Sequence, residues 1–400
     1  MRSNWVTARL AEKKPCILFV PGFVADTYSE IEQSFVELCA AENKNMEFLW
    51  LVPDISSNYD NFARPENRAT LKEPVYVPHL RSNKVSYIVG TISKFNIIEN
   101  LLLFRRIFRE YRIDAVYTHF GYERFWAAFI GKLFGKTTVW NEHWYSLGMR
   151  FGPLKRLFYR FFVDEFICVS EFICRTLPRQ NHVHTILNGI RPEISRKLNE
   201  AELHALRKRL GIDVNVKVVL MVAAFTAQKR HEIALKLCEE ILKKRRGVMF
   251  CFLGDGVTRK SFLAKVKERG LSDHILAPGY VRNVDDYYSV ADICILTSHS
   301  EGFGYTVLEA MRYGRAMIAF DTGAPPELIR NGETGFVVPE GDLDSFTDSI
   351  LELIDNPALR FVMGQNARRA VRERHSRELW IDRIHATLCD IVTRRVLSKG

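Results

Sequence analysis

The sequence has no long apolar run. None of its apolar stretches approaches the roughly 20 residues that a membrane-spanning helix needs. The first residues, Met1 to Val6, also lack the apolar segment of a secretory signal. We therefore expect a soluble or peripheral protein. Its 400 residues, of which 47% are hydrophobic, are enough for two or more domains with well-filled cores.

Paired cysteines and dinucleotide fingerprints are also missing. The eight cysteines occur singly, mostly within apolar runs, and none stands in a Cys-x-x-Cys pair or at zinc-site spacing to a histidine. Buried, reduced thiols in a cytosolic protein are the simplest interpretation, and no metal site is expected. The Gly-x-Gly-x-x-Gly motif is absent after the first strand of each half, which disfavours a dehydrogenase.

Basic residues are in excess, and they are unevenly distributed. The net charge is +10, but residues 101–160 alone carry eleven Lys and Arg against four Asp and Glu. Such an excess is compatible with binding to nucleic acid or an anionic membrane, or with solubility alone. No recognised nucleic-acid-binding module accompanies it, so nucleic acid is the least favoured partner.

Two helical patterns carry much of this charge. Residues 101–112 contain four arginines, and residues 154–162 place apolar side chains at the spacing of one helix face, with basic side chains elsewhere. The apolar positions of the second pattern are Leu154, Leu157, Phe158 and Phe161, and its basic positions are Lys155, Arg156 and Arg160. Helices of this kind can lie on anionic bilayers. The alternative is a pair of core helices, each with a solvated basic face.

Short apolar runs alternate with helical patterns along the chain. In the first half they predict strands near residues 16–20, 46–52, 113–118, 137–141, 166–170 and 183–187. In the second half they predict strands near 218–223, 248–253, 292–296 and 316–320, and a basic helical stretch follows over 357–395. This alternation is typical of parallel sheets with helices on both faces, so we expect an α/β protein with two such sheets.

A histidine follows each of two successive strands in the first half. His119 closes the run that ends at Thr118, and His143 stands directly after Glu142. A single histidine in this position is usually a packed or capping residue. Two at equivalent places indicate a site, because ligands of parallel sheets collect at the carboxyl ends of the strands.

The stretch from Ser298 to Glu309 has the features of a phosphate site. It follows an apolar run and leads into a helical pattern, and its glycines allow a sharp turn close to a ligand. The helix start predicts an anion seat over Gly304 to Thr306. Glu301 lies before the helix and Glu309 within it, so the two acids should touch different parts of one ligand. Alternatively, Glu301 caps the helix and Glu309 is a solvated surface residue.

The second half as a whole resembles a known family. The segment from Glu301 to Met311 is an E-x7-E motif. Further motifs accompany it in a fixed order, namely Leu253 to Gly256, Pro278 to Val281, Asp321 to Glu327 and Asn331 to Pro339. Over residues 218–342 the chain therefore resembles the donor-binding domain of the retaining glycosyltransferases of family 4, which have the GT-B fold. The first half matches more loosely, through Val169 to Glu171, Asn188 to Ile190 and His143.

The resemblance implies a fold and a division into domains. The GT-B fold is α/β, with two Rossmann-like domains that face each other across a cleft and a C-terminal helix that crosses back to the N-terminal domain. We therefore expect an acceptor-binding domain over residues 1–190 and a nucleotide-sugar-binding domain over residues 191–375. A helix over residues 376–400 is expected to pack on the first domain.

The resemblance also implies roles for individual residues. Glu309 should bind the ribose hydroxyls of a nucleotide, Glu301 should face the sugar, and the helix start should take the diphosphate. Lys229 matches the phosphate-binding lysine, but Ala224 stands where the family commonly has an arginine in Gly-Arg-Leu. The expected catalytic residues are Glu301, His143 and Lys229, and the expected donor-binding residues are Gly22, Ala224, Lys229, Arg230, Val281, Gly302, Phe303, Gly304, Tyr305, Thr306 and Glu309.

The function that the resemblance implies is retaining sugar transfer from a UDP- or GDP-sugar to an acceptor hydroxyl, without an essential metal. We expect a carbohydrate or lipid-linked acceptor in cell-envelope polysaccharide or glycolipid synthesis. The protein is expected in the cytoplasm, or peripheral on the cytoplasmic face of an anionic membrane through residues 101–112 and 154–162. The alternatives are a GT-B sugar phosphorylase, a nucleotide-sugar epimerase, or a catalytically silent sugar-nucleotide-binding protein, the last suggested by the missing arginine.

Overall fold

The computed structural model describes residues 14–23, 28–41, 46–55, 71–143, 152–177, 182–194 and 196–399. The chain divides into two compact units. The first unit contains residues 1–169, 173–187 and 378–400, and the second contains residues 170–172 and 188–377. None of the helices in the described ranges combines the length and the apolar character that crossing a bilayer requires. The eight cysteines form no disulfide.

The described part of the first unit has one sheet of seven parallel strands. The strands are β1 Cys16–Val20, β2 Glu47–Val52, β3 Ser86–Val89, β4 Ala115–Thr118, β5 Thr137–Glu142, β6 Glu165–Cys168 and β7 Val183–Thr185. Their spatial order is β3-β2-β1-β4-β5-β6-β7. The order reverses between β1 and β4, and in doubly wound sheets such a point is where ligands bind.

Helices cover both faces of this sheet. In chain order they are Glu30–Ala40, Val77–Ser82, Ile97–Glu110, Glu123–Leu133, Gly152–Phe162, Glu171–Thr176 and Arg377–Lys399. Alternate residues of β1 enter two different cores, since Phe19 packs on one side of the sheet and Leu18 on the other. On the first side, the ring of Phe19 lies 5.1 Å from that of Phe35 and 4.6 Å from that of Trp50.

The second unit has the same architecture. Its strands are β8 Lys217–Val222, β9 Val248–Leu253, β10 Ile275–Gly279, β11 Ile293–Leu296, β12 Ala316–Phe320 and β13 Gly335–Val338, in the parallel order β10-β9-β8-β11-β12-β13. Its helices are Glu200–Arg209, His231–Lys244, Arg259–Glu268, Val284–Val290, Tyr305–Arg312, Pro325–Leu328, Leu343–Asp355 and Pro357–Arg374, with a short 3-10 turn at Ala227–Lys229. The order reverses between β8 and β11.

Two parallel sheets with helices confirm the predicted α/β class, but three of the strands are not among those predicted. These are β3, β10 and β13, and each lies at the edge of its sheet. Edge strands have a neighbour on one side only, and these three bury fewer of their side chains than the central strands do. They therefore lack the continuous apolar run that identifies a central parallel strand.

The helical stretch expected over residues 357–395 consists of two helices, the second of which matches the helix expected over residues 376–400. Pro357–Arg374 and Arg377–Lys399 are separated at His375 and Ser376. At this break Ile190 takes up backbone hydrogen bonds that a continuous helix would make within itself. Its N–H donates to His375 O (2.9 Å), and its carbonyl accepts from Arg377 N (3.0 Å). A side chain at Gly189 would overlap Ser376 O, since its Cβ would lie 2.4 Å away.

The last helix is built into the core of the first unit. Trp380, Ile384 and Leu388 are almost fully buried in the same cluster as β1. The ring of Trp380 meets Phe35 edge-on, with 5.1 Å between centroids. The chain passes between the units after residues 169, 172, 187 and 377, and the last two points lie near the expected boundaries at residues 190 and 375.

The helix Gly152–Phe162 exposes three of the four apolar residues that its sequence pattern singles out, whereas the fourth, Phe158, is half-buried with its ring 5.3 Å from that of Phe125. Leu154, Leu157 and Phe161 are 64%, 54% and 57% exposed, whereas Tyr159 is buried and donates a hydrogen bond to Glu142 (2.8 Å). The alternative of a core helix therefore holds in part, because Phe158 and Tyr159 pack on Trp140 of the sheet. The helix Ile97–Glu110 buries Phe104 and Ile107 and exposes its arginines, together with Ile98 and Leu102.

We predict that Trp380→Ala destabilises the first unit by about 3–5 kcal/mol, the usual cost of removing a buried aromatic side chain. Leu397→Ala, on the same helix but with its side chain 52% exposed, should change the free energy of unfolding by less than about 0.5 kcal/mol. Urea unfolding followed by far-UV circular dichroism measures both. Equal effects of the two substitutions would contradict the packing of this helix.

Candidate functional site

Two loops meet at the point where the strand order of the second sheet reverses. One follows β8 and contains Ala224 and the turn Ala227–Lys229, and the other follows β11 and leads to Gly304. Hydrogen bonds join them, from His299 N to Gln228 O (2.8 Å) and from Thr297 Oγ1 to Lys229 O (2.9 Å). The two loops therefore form one rigid edge where ligands of such sheets bind.

The helix Tyr305–Arg312 begins directly at this edge. Gly304 precedes it with φ 98°, a left-handed conformation that suits glycine, and no side chain caps the helix start. The first amides of a helix have no partner within the helix, and they carry the positive end of its dipole. The predicted anion seat at Gly304, Tyr305 and Thr306 therefore has the required local geometry.

Glu301 lies beside that helix start and is held by two groups. Its side chain is almost buried, and Oε1 accepts a hydrogen bond from Ser298 Oγ (2.6 Å). The same oxygen forms an ion pair with Lys229 Nζ. The structure therefore brings together the residue expected to face the sugar and the lysine expected to face the diphosphate.

Arg230 contacts residues other than Glu301. Its backbone is left-handed, with φ 50°, and its guanidinium lies 2.9 Å from Glu340 Oε1 and 2.8 Å from His299 Nδ1. Ala224 is exposed in the loop after β8. Of the expected phosphate-facing cations, Lys229 is thus the one that contacts Glu301.

Glu309 has a partner set of its own. It accepts a hydrogen bond from Tyr288 Oη (2.8 Å), and Tyr288 in turn stacks on Tyr313 with 5.4 Å between ring centroids. Burial raises the pKa of Glu309, while the Tyr288 hydrogen bond and the nearby Arg312 oppose that rise. Glu301 and Glu309 therefore have different partners.

Several supporting residues have no obvious signal in the sequence. Gly323 has φ 69°, and a Cβ there would lie 2.5 Å from both the N and the O of Glu301, so only glycine fits against this backbone. Ser170 Oγ donates to Gly302 O (2.6 Å) across a long sequence separation. Ser298 could have been found from its position three residues before an acid, the spacing of a capping pair.

The remaining expected site residues lie elsewhere. Val281 is half-buried after β10 in the second unit. Gly22 follows β1 in the first unit with φ 60°, and a Cβ there would overlap Phe120 O, only 2.1 Å away. His143 follows β5 and contacts His119, with 3.1 Å between their Nε2 atoms. The structure thus brings the two strand-end histidines together.

Metal ligands do not converge in the described ranges: no group of three or more His, Cys, Asp and Glu side chains is placed to hold an ion there. The positive charges at the edge of the second sheet come instead from Lys229, Arg230 and the helix start.

Comparison with protein families places both halves of the chain. Residues 204–370 match the family described as glycosyl transferases group 1, and residues 59–194 match glycosyltransferase family 4. The chain belongs to the group 1 glycosyltransferases of family 4. The predicted family is therefore confirmed. In the first half the match covers residues 59–194, which is more than the short motifs that carry the resemblance there.

The names of two relatives refer to different sugars. This glycosyltransferase is 31% identical to alpha-D-kanosaminyltransferase of Streptomyces kanamyceticus over 42% of this chain and 44% of the relative. It is 27% identical to N-acetyl-alpha-D-glucosaminyl L-malate synthase of Bacillus anthracis over 52% of this chain and 54% of the relative. The chain thus spans about half the length of these relatives.

Solved glycosyltransferases share the whole fold. A glycosyltransferase of Rickettsia africae superposes with a TM-score of 0.75 at 18% identity, over 96% of this chain and 99% of that one. Anabaena HepE in complex with UDP superposes with a TM-score of 0.75 at 16% identity, over 94% and 100%. These neighbours have the GT-B fold with two Rossmann-like domains, which confirms the expected fold class.

We predict that Gly323→Ala destabilises the second unit more than Gly332→Ala does. Both glycines are left-handed, so each alanine should cost about 1 kcal/mol in backbone strain. At Gly332 nothing lies within 4 Å of an added Cβ, whereas at Gly323 the Cβ overlaps the backbone of Glu301. Urea unfolding should show an additional loss of about 1–3 kcal/mol for Gly323→Ala. Equal losses would contradict the close contact between Gly323 and Glu301.

Proposed function

We propose that the protein transfers a sugar from a nucleotide diphosphate sugar to an acceptor hydroxyl, with retention at the anomeric carbon. The observation that carries this proposal is the contact of Lys229 with Glu301 beside the helix start at Tyr305. A departing diphosphate needs a cation and N–H donors, and a sugar needs a carboxylate that accepts from its hydroxyls. The edge of the second sheet offers the cation, the N–H donors and the carboxylate close together in the fold.

The donor would lie along this edge in an extended form. The helix start at Tyr305 and Thr306 and the amine of Lys229 would hold the diphosphate, and Glu301 would hold the sugar. Glu309, fixed by Tyr288, would accept from the ribose hydroxyls. The loop at Val281 would contact the base of a UDP- or GDP-sugar, in line with the UDP found in the Anabaena structure.

The ion pair gives donor binding a specific consequence. In the structure the amine of Lys229 forms an ion pair with the carboxylate of Glu301. When a diphosphate binds, its charge competes for the amine, and the carboxylate of Glu301 is released to accept from sugar hydroxyls. Because Ala224 supplies no arginine, Lys229 carries more of this role, and Arg230 would join it by leaving Glu340.

Retention follows from reaction on one face of the sugar. The bond from the anomeric carbon to the phosphate oxygen breaks, and the bond to the acceptor oxygen forms on the same face. The acceptor proton passes to the departing phosphate oxygen. Glu301 positions the sugar rather than attacking it, and Lys229 stabilises the diphosphate charge as it develops. We propose that this chemistry needs no essential metal, so that turnover persists in the presence of a chelator.

We predict that Lys229→Ala lowers kcat/KM by about 100-fold or more, the usual effect of removing one group that stabilises a developing charge. Glu301→Gln should lower turnover by about 10-fold or more, while diphosphate binding is kept. Lys243→Ala is a matched control, because this exposed lysine pairs with Glu240 on a surface helix. The assay is release of nucleotide diphosphate from a UDP- or GDP-sugar in the presence of an acceptor. Near wild-type turnover in both site variants would contradict the assignment.

The donor for this assay comes from a thermal-shift screen of nucleotides and nucleotide sugars, since a ligand at 100 times its Kd adds about 2.7 kcal/mol of stability. The same assay separates the alternatives. A transferase releases nucleotide diphosphate only when an acceptor is present. A phosphorylase depends on inorganic phosphate, an epimerase releases no nucleotide, and a silent binder shows binding by calorimetry without turnover.

We further propose that the acceptor is carbohydrate or lipid-linked, in cell-envelope polysaccharide or glycolipid synthesis, and that the protein works on the cytoplasmic face of an anionic membrane. The support lies in the helix Gly152–Phe162. Its exposed apolar side chains Leu154, Leu157 and Phe161 stand next to the exposed Arg156 and Arg160. Such a face inserts apolar groups at the level of the lipid headgroups and pairs its cations with lipid phosphates.

Neighbouring helices extend this surface. The helices Ile97–Glu110, Glu123–Leu133 and Gly152–Phe162 pack side by side on the first unit. Further exposed apolar side chains on or next to them are Phe95, Ile98, Leu102, Leu133 and Phe134. Residues 101–112 add exposed arginines. The combination of apolar and basic groups over three adjacent helices suits an anionic bilayer better than nucleic acid, which offers phosphates but no apolar layer.

We predict that the protein binds vesicles containing anionic lipid and that the double substitution Arg156→Glu/Arg160→Glu weakens binding by at least about 10-fold, since each juxtamembrane cation contributes about 1 kcal/mol. The control is Lys260→Glu/Lys267→Glu, which changes the net charge equally on an exposed helix of the second unit. Vesicle sedimentation at low and high salt measures the difference. Absence of binding at low salt, or equal loss in both double variants, would contradict the proposed surface.

A further inference from the structure

The histidine pair of the first unit has an unusual environment. His119 and His143 follow the adjacent parallel strands β4 and β5, and their Nε2 atoms lie 3.1 Å apart. His119 is fully buried, and its ring lies 4.0 Å from that of Phe35 and 4.5 Å from that of Phe120. Among the described residues, its Nδ1 is buried without a hydrogen-bond partner.

Both rings are neutral around neutral pH. Burial, followed by His143 and Arg124, lowers the pKa of His119 well below its usual value. Burial, together with the positive charge of Arg124, lowers the pKa of His143 to about 3. Arg124 is oriented by the carbonyl of His119 (3.4 Å) and by the carboxylate of Glu142 (3.3 Å). Because both pKa values lie below the ordinary value for histidine, each ring stays unprotonated until the pH falls well below that ordinary value.

A hydrogen bond between two neutral imidazoles requires one N–H and one bare nitrogen. If His143 donated from Nε2, His119 would have to carry its proton on Nδ1, which would bury an N–H donor in an aromatic cage. If His119 donates from Nε2, the buried Nδ1 is a bare nitrogen instead. Buried N–H groups without a partner are rarer in proteins than acceptors without one.

We propose that His119 donates its Nε2–H to Nε2 of His143 and thereby fixes His143 as the Nδ1–H tautomer. His119 is then a positioning residue, because it acts through His143. Nε2 of His143 is occupied by this bond, so Nδ1–H is the group that His143 offers to a substrate. A donor of this kind recognises an oxygen, such as a sugar hydroxyl or a phosphate oxygen, and cannot act as a general base through Nε2.

The tautomer can be measured without any substrate. In protein labelled with 15N-histidine, long-range proton–nitrogen correlation spectra distinguish a protonated Nδ1 from a protonated Nε2, and His143→Gln assigns the signal of His143. We expect His143 to be protonated on Nδ1 alone from pH 5 to pH 8, with no titration in that range. A His143 ring protonated on Nε2, or one that titrates near its ordinary pKa, overturns the proposal.

Substitutions at His119 provide the matched comparison. The side-chain amide of His119→Gln places a donor near the position of Nε2, whereas His119→Asn places its amide near Nδ1, and His119→Phe has no donor. The Nδ1–H form of His143 should therefore survive in His119→Gln and be lost in His119→Asn and His119→Phe. If all four proteins give the same His143 tautomer, His119 does not position it.

Turnover gives a second reading, which rests on the proposed function. We expect kcat to fall about 10-fold or more in His119→Asn and His119→Phe, with the donor KM within about threefold of wild type and recovery in His119→Gln. If the variants lose the tautomer but the protein has no transferase activity, the positioning role stands and the proposed function fails. If the tautomer is unchanged while turnover falls equally in all three, the effect is structural and the positioning role fails. Should His119→Phe not fold, the comparison of Gln with Asn retains both readouts.

Discussion

The ion pair between Lys229 and Glu301 is the contact on which the site of the second unit depends. Two loops that come from different strands of one sheet are joined by it, and Ser298 fixes the carboxylate from the other side. The glycine-led start of the helix Tyr305–Arg312 then lies next to a carboxylate that is already neutralised. Removing either partner would leave the other charge uncompensated at low exposure. A bound diphosphate would compete with Glu301 for the amine of Lys229.

The sequence predicts those parts of the fold and the site that depend on neighbours along the chain. Central strands such as β8 and β11 are apolar runs because both faces are buried, and the glycines and acids from Ser298 to Glu309 form a local pattern. The edge strands β3, β10 and β13 lack such runs because each has a neighbour on one side only. The supports of the site could not be predicted, since Ser170 and Gly323 reach the Glu301 loop only through tertiary contacts. The break at His375 likewise depends on a distant residue, Ile190.

Helical periodicity has a related limit in the first unit. It correctly groups Leu154, Leu157 and Phe161 on one face of a helix, but it does not say which face turns inward. In the structure Tyr159 faces inward, where it packs on Trp140 and donates a hydrogen bond to Glu142, a buried carboxylate at the end of β5. Because His143 follows Glu142 in the chain, the residue that accepts this hydrogen bond also adjoins the histidine pair. Glu142 thus lies next to both the helix Gly152–Phe162 and the histidine pair.

The central claim is that a sugar donor takes Lys229 away from Glu301. A crystal structure with a bound nucleotide diphosphate sugar tests it most directly. We expect Lys229 Nζ to lie within about 3 Å of a phosphate oxygen, Glu301 to contact a sugar hydroxyl, and the amides of Tyr305 and Thr306 to face the diphosphate. A donor bound with Lys229 still paired to Glu301, or bound away from the start of this helix, would contradict it.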